Sequence, residues 1–438
     1  MPGQSRHILH RTAILVALLG AASVAGSLTI APSFAQQQPQ KHAPAKPPAK
    51  APPKAAAKPP GKPDTKEAKD TPTEPMTPSQ IGIPTVAKQA YLVDVNTGTV
   101  LLAKDADTPM KPSSMAKMMT VYLLWEEMKA GRVNLDTQYR VSEAAWRMQG
   151  SKMFVDIDSL VAVRDLIPGI IVHSGNDAAV VVAEGISGSQ DAFAQRMNKK
   201  AKEFGMKNTT FMNADGWPDD KQFTTAHDLA ILAQHTIQDF PDYYKEFYAQ
   251  RSFKYKDYRS QSNRNELLGR VDGVDGLKTG HTEEAGFGLT ASAIRGGRRV
   301  ILVVNGLLNK KAREQEPERL IEWAFREFED YTLFKPGEVV SQADVWMGVA
   351  PKVQLTVTKD AVMTLPRGAR QNIKVSVVYD GPVKAPIRKG QQIGKLVVSG
   401  DNLQAAEIPL VAAEDVEKMG FLGRIVSGVK YFVLGQHS

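Results

Sequence analysis

Residues 112–131 read PSSMAKMMTVYLLWEEMKAG, and this stretch decides how the rest of the chain is understood. Met115, Ala116, Met118, Met119, Val121, Leu123 and Leu124 leave almost no polar side over four turns, with Gly131 just past the end. A helix that is apolar all round belongs inside a core, not on a surface. Two polar residues open it, Ser114 and Lys117, and residues three apart on a helix share a face. The stretch therefore predicts a buried helix carrying a serine and a lysine side by side at its start.

Outward from this helix the pattern is mixed. Tyr91-Leu92-Val93-Asp94-Val95 and Val100-Leu101-Leu102-Ala103 flank Asn96-Thr97-Gly98, which predicts a hairpin with a glycine turn. Residues 161–210 read as mainly helical. From Gly276 to Leu307, strand-like runs broken by Gly286, Gly288, Gly296 and Gly297 predict an antiparallel meander, closed by a helix over Glu314–Glu329. An early hairpin, a helical middle and a return to strands describe an α+β domain, helices packed on an antiparallel sheet, over residues 85–335. Residues 336–413 then show short alternating runs, such as Val353-Gln354-Leu355-Thr356-Val357, and predict a small all-β domain.

The ends of the chain have a different character. Arg6, His7 and Arg11 precede an apolar run from Ala13 to Ala31, followed by Ser33-Phe34-Ala35, so residues 1–35 read as an export signal cleaved after Ala35. Residues 36–84 read as a solvated spacer: in 36–75 alone, eleven of forty residues are Pro, with eight Lys against four Asp or Glu. That segment supplies +4 of the net charge of +8. The remaining surplus is small, no nucleic-acid motif accompanies it, and nucleic acid is not an expected partner. The chain has no cysteine, which excludes thiol catalysis and disulfides. Residues 414–438 carry Met419, Phe421, Leu422, Ile425, Val426, Val429, Phe432 and Val433 at helical spacing, interrupted by Lys418, Arg424 and Lys430. They predict an amphipathic helix lying on an anionic membrane surface.

Chemistry concentrates in three short segments that follow one another: Ser114-Met115-Ala116-Lys117, Ser174-Gly175-Asn176 and Lys278-Thr279-Gly280. A serine hydroxyl is a poor nucleophile until a base takes its proton. Lys117 serves if its amine is neutral, and burial beside a second cation such as Lys278 lowers its pKa toward the working range. Ser114 at a helix start places its own N–H where an oxyanion develops, and the N–H of His281 on the strand supplies a second donor. Ser174 is placed to bridge the two lysines and pass a proton to the leaving amine, Asn176 to hold a substrate amide, and Thr279 to meet a substrate carboxylate. A second S-x-x-K, Ser427-Gly428-Val429-Lys430, has no such companions. His227 and Asp228 after Thr224-Thr225 read as a helix cap, and no HExxH or G-x-S-x-G occurs.

The three segments, with Pro112-Ser113-Ser114-Met115-Ala116-Lys117-Met118-Met119-Thr120 and Asp275-Gly276-Leu277-Lys278-Thr279-Gly280-His281-Thr282 as their fuller contexts, resemble the low-molecular-mass penicillin-binding D-alanyl-D-alanine carboxypeptidases. The resemblance extends over about residues 85–435. It implies a serine peptidase that removes the terminal D-alanine from peptidoglycan stem pentapeptides without a cofactor and is inhibited by β-lactams. It also implies an arginine near the Lys278 strand that binds the substrate carboxylate. Arg298 and Arg299 both fall there, and Arg299 is the expected one, while Arg264 reads as a surface-loop residue. Export would place the protein in the periplasm, on the outer face of the cytoplasmic membrane. The enzymatic rivals share the motifs: a D,D-endopeptidase, or a β-lactamase, for which residues 205–220 offer no Glu but do offer Asp215, Asp219 and Asp220. A penicillin-binding scaffold without turnover is the non-enzymatic rival.

Overall fold

The computed structural model describes residues 8–10, 83–369, 373–400 and 403–420. Among the described residues, five strands form an antiparallel sheet: β1 (Gln89–Asp94), β2 (Val100–Lys104), β3 (Val274–Thr282), β4 (Gly286–Arg295) and β5 (Arg298–Leu307), in the order β2-β1-β5-β4-β3. The hairpin and the meander thus join through β5, which is buried along nearly its whole length. Alternate residues of a strand face opposite sides, and both sides of β5 are apolar. Ile301 and Val303 join a core with the helices of the domain's middle, while Val300, Leu302 and Val304 join a second core with Leu320, Ile321 and Ala324. Helices therefore cover the sheet on both faces.

On the first face lie α1 (Lys117–Lys129), α2 (Val163–Ile171), α3 (Asn176–Ser187), α4 (Gln190–Glu203), α5 (Ala226–Asp239) and α6 (Pro241–Phe247). The second face carries α7 (Lys310–Glu327). The helix α1 is the central post: Met118, Met119, Leu124 and Trp125 are all fully buried. Trp125 sits among Phe240, Tyr243, Phe247 and Tyr248, with ring centroids 5.6–6.3 Å away. Removing a side chain so enclosed would cost about 3–5 kcal/mol. Thr225 caps α5 through a bond from the Asp228 N–H, and His227 faces Asp107, so this pair is structural.

The second domain is all-β, as the alternating runs predict, with its own core of Val353, Leu355, Leu365, Ile387, Leu396 and Leu410. Two of its expected boundaries move. Phe328–Phe334, assigned from sequence to the first domain, is a strand paired with Ala361–Pro366 of the second. At the other end the expected helix cannot start at residue 414. Val416 bridges to Ile387, Lys418 bridges to Gly348, and the Met419 N–H donates to the Met347 carbonyl, so 414–419 are bound onto the β-domain. The rest of that expected helix, 421–438, lies outside the described residues, as do the expected spacer up to residue 82 and the signal segment except Ile8–His10, a short strand beside Ile373–Tyr379. Among the described residues no helix is long and apolar enough to cross a membrane.

Candidate active site

The nucleophile candidate stands where three elements converge on the start of α1. Ser113–Ala116 form a 3-10 turn that runs directly into α1, so Ser114 and Lys117 project from consecutive turns of one helical cylinder. Strand β3 passes so close to this turn that a Cβ on Gly280 would lie 3.1 Å from Met115 and 3.2 Å from the Pro112 carbonyl. From the other side comes the 213–217 loop. Gly216 has φ +79°, and a Cβ there would fall 1.8 Å from the Ser113 carbonyl oxygen. Only glycine accommodates both the left-handed backbone and that approach.

Lys117 is fully buried, and its ammonium has three partners: Ser114 Oγ at 3.0 Å, Asn176 Oδ1 at 2.7 Å and the Asp215 carbonyl at 2.5 Å. Burial lowers its pKa to about 8, with the Arg264 charge acting in the same direction and Asp215 and Asp177 opposing. Once neutral, the amine still donates to Asn176 and Asp215 and turns its lone pair to the Ser114 hydroxyl, the geometry of a general base. Lys278, on β3 and also buried, donates to Ser174 Oγ at 3.0 Å and to the Thr279 carbonyl at 3.1 Å. Its pKa is pushed well down by burial first, then by Lys117, Arg264 and Arg313.

The middle segment sits at a sharp turn before α3, with Ser174 in the left-handed region at φ +58°. Asp177 fixes this turn by accepting from the N–H groups of Met153, Phe154, Val155 and Ala178. The Asn176 amide donates to the Gln149 carbonyl at 2.7 Å. One detail departs from the sequence expectation: Ser174 reaches Lys278, whereas Asn176, not Ser174, is the middle-segment partner of Lys117.

The structure thus brings Ser114, Lys117, Ser174, Asn176, Lys278, Thr279 and Gly280 together. His281, next on β3, is exposed with its ring 3.9 Å from that of Phe287. Arg299 is elsewhere. On β5 the row through Lys278 and Thr290 reaches Val303, four residues from Arg299, or roughly 13 Å along the strand. Its guanidinium is held by both Asp275 oxygens, at 2.9 and 2.7 Å, with Ser292 beside them, and it lies over the Tyr244 ring. Arg298 is likewise engaged, by Asp94 at 2.6 Å and the carbonyls of Ala324 and Phe328.

Two other arginines lie beside the three segments instead. Arg264 donates to Ser151 Oγ at 2.6 Å, and the Ser151 carbonyl accepts from the Asn176 N–H. Its charge acts on both lysines. The flanking asparagines present it: Asn263 donates to the Gln250 carbonyl, and Asn265 donates to the Gly276 carbonyl of β3. Arg313, from α7, is clamped by Glu266 at 2.6 Å and points one N–H toward the Gly280 carbonyl at 3.5 Å.

A serine against a buried lysine, with a second buried lysine and a serine opposite, fits the layout of a serine enzyme that works by acyl transfer with an amine as base. The sequence comparisons specify the kind. Residues 74–309 match the D-alanyl-D-alanine carboxypeptidase family of S11 peptidases, and residues 328–418 match the C-terminal domain of penicillin-binding protein 5. The D-alanyl-D-alanine carboxypeptidase DacA of Haemophilus influenzae is 38% identical over 355 residues, 79% of this chain and 90% of that protein. DacA of Escherichia coli K12 is 37% identical, covering 80% of this chain and 88% of its own length. Among solved structures, penicillin-binding protein 5 from Haemophilus influenzae aligns with a TM-score of 0.70 at 37% identity, over 77% of this chain and 99% of that one. Penicillin-binding protein D2 from Listeria monocytogenes, in its ampicillin-bound form, aligns at 0.52 and 30% identity, over 56% of this chain and all of that one. The chain belongs to the S11 D-alanyl-D-alanine carboxypeptidase family.

Proposed function

We propose that this enzyme removes the terminal D-alanine of peptidoglycan stem pentapeptides through an acyl-enzyme on Ser114. The observation that carries the reading is the contact of Lys117 with Ser114 Oγ, from a lysine whose other two partners fix its orientation. Neutral Lys117 takes the Ser114 proton as Oγ bonds to the penultimate D-Ala carbonyl carbon. The N–H groups of Ser114 and His281 meet the oxyanion. As the C–N bond breaks, Ser174, polarised by Lys278, hands a proton to the departing amine. Lys278 reprotonates Ser174, and Lys117 keeps the Ser114 proton in the acyl-enzyme. Water then adds to the ester, its proton passing through Ser174 back to Lys278, while Lys117 returns its proton to Ser114 Oγ as it leaves.

The substrate carboxylate falls to Arg264, with the Thr279 hydroxyl beside it and Arg313 behind Gly280. Arg299, expected from sequence to do this, is committed to Asp275. A guanidinium fork matches a carboxylate in two directions at once. Incubating the protein with diacetyl-Lys-D-Ala-D-Ala tests the reading: D-alanine should be released, and Ser114→Ala should abolish release.

The same reading includes export after cleavage at Ala35, which would also remove Ile8–His10 from the β-domain edge, and residence on the outer face of the cytoplasmic membrane. The basic and apolar alternation of 421–438 supports surface attachment. Deleting these residues from the mature protein should release it from anionic vesicles with peptide hydrolysis retained; co-sedimentation of the truncated form at moderate salt would show that this segment is not the anchor.

A further inference from the structure

The 213–217 loop carries a carboxylate that the acylation scheme leaves unused. Asp215 is 1% exposed, yet only one of its carboxylate oxygens is engaged: Oδ1 accepts from the Trp217 N–H at 3.3 Å, while Oδ2 is buried without a hydrogen-bond partner. A buried polar atom left in this state calls for a reason beyond folding. The loop cannot drift from the nucleophile, because Gly216 abuts the Ser113 carbonyl and Thr120 Oγ1 donates to the Ala214 carbonyl at 2.5 Å. The Asp215 carbonyl itself receives the Lys117 N–H. Side chain and base are therefore fixed relative to each other through one residue.

The charges facing Lys117 come from every element around it. Arg264, on the 263–265 loop, drives its proton off, whereas Asp215 and Asp177 hold it on. Lys278, on β3, adds a second buried cation. Asp177 already spends its carboxylate on four backbone N–H groups at the start of α3. Asp215 is the acidic group with an oxygen to spare, and Lys117 is in turn the leading influence favouring its ionised form against the upward push of burial.

We propose that Asp215 is a positioning residue for the nucleophile's base: its buried carboxylate is the counter-charge that holds the proton on Lys117, and so it sets the lower pH limit of Ser114 acylation. The inference rests on the acylation chemistry proposed above. Removing a neighbouring anion from a buried ammonium lowers the ammonium's pKa, typically by about one unit. Asp215→Asn keeps the shape and the acceptor for Trp217 but removes the charge.

The test is the pH profile of acylation by a fluorescent penicillin, followed from pH 5 to 10. In Asp215→Asn the acidic limb should move down by about one pH unit, and a smaller variant, Asp215→Ser, should move it in the same direction. A merely structural role would lower the rate at every pH and leave the limb in place, and that result in either folded variant overturns the proposal. The carboxyl carbon of Asp215 in the unaltered protein gives an independent reading by NMR. It should be ionised by pH 7; a carboxyl still protonated above pH 8 overturns the proposal whatever the variants do. Absence of any penicillin adduct in the unaltered protein would instead refute the acylation reading, and the carboxyl titration would still decide the counter-charge.

Discussion

Raising the pH from 6 to 10 should switch on acylation and stabilise the fold through one group, Lys117. Folding carries this lysine from 10.5 to about 8 by burying it completely. In its charged form all three N–H bonds are donated, to Ser114, Asn176 and the Asp215 carbonyl, and no lone pair is left for the serine proton. With a pKa near 8, about one molecule in ten is competent at pH 7 and about one in a hundred at pH 6. The acylation rate should therefore climb roughly tenfold per pH unit and level off above pH 8. The stability consequence has a definite sign. Because the folded value lies below the unfolded one, the unfolded chain binds more protons between pH 8 and 10.5, and stability rises with pH across that window. The difference, at 1.4 kcal/mol per pH unit, corresponds to roughly 3 kcal/mol of destabilisation fully present below pH 8. Lys117→Met removes the titrating group and leaves two acceptors unpaired, an offset that does not vary with pH. Urea unfolding of both proteins from pH 6 to 10.5 should show a constant difference below 8, then a shift toward the unaltered protein by up to about 3 kcal/mol. A rate that is flat from pH 6 to 8, or a stability difference unchanged above 8, would mean that Lys117 keeps an ordinary ammonium and the base is another group.

Arg264→Ala should cut kcat/KM on a free-acid D-Ala-D-Ala peptide by about 2–4 kcal/mol, roughly thirtyfold to a thousandfold, and an amidated analogue far less. Arg299→Ala should treat the two peptides alike and lower the melting temperature instead, by about 1–3 kcal/mol of stability, because it leaves the Asp275 carboxylate with the Tyr244 hydroxyl in place of a guanidinium and a hydroxyl. A free-acid-selective loss with Arg299→Ala would return the carboxylate to that residue. Gly216→Ala should cost about 3 kcal/mol or more and impair acylation, since it forces a Cβ into the Ser113 carbonyl at a left-handed backbone position; thermal unfolding near the unaltered value would contradict that packing.

What could be read from the residues follows a physical boundary. Ser114 and Lys117 are legible because their relation is local, three residues apart on one helix. Lys278-Thr279-Gly280 on a strand is legible for the same reason, and so is the Asn96–Gly98 turn. Arg264 and Arg299 could not be sorted this way, because what separates them is non-local. Register places Asp275 beside Arg299, and Asn265, next to Arg264, fastens its loop to β3. Asp215 gave only a weak signal, as a carboxylate where a rival chemistry would want one. Its burial and its contact with Lys117 exist only once the loop packs on α1. The boundary near residue 328 had no glycine or proline to mark it, so helix α7 runs straight into a strand of the next domain. The helical spacing starts only at Met419, and residues 414–418 before it belong to a segment that the β-domain claims through Val416 and Lys418.

The acyl-enzyme requires a covalent bond to Ser114, and mass spectrometry of the protein after penicillin treatment at pH 8–9 tests for it most directly. The intact mass should rise by one penicillin, the adduct should map to the peptide containing Ser114, and Ser114→Ala should carry none. An adduct on Ser427, or no adduct on protein that unfolds cooperatively, would contradict it.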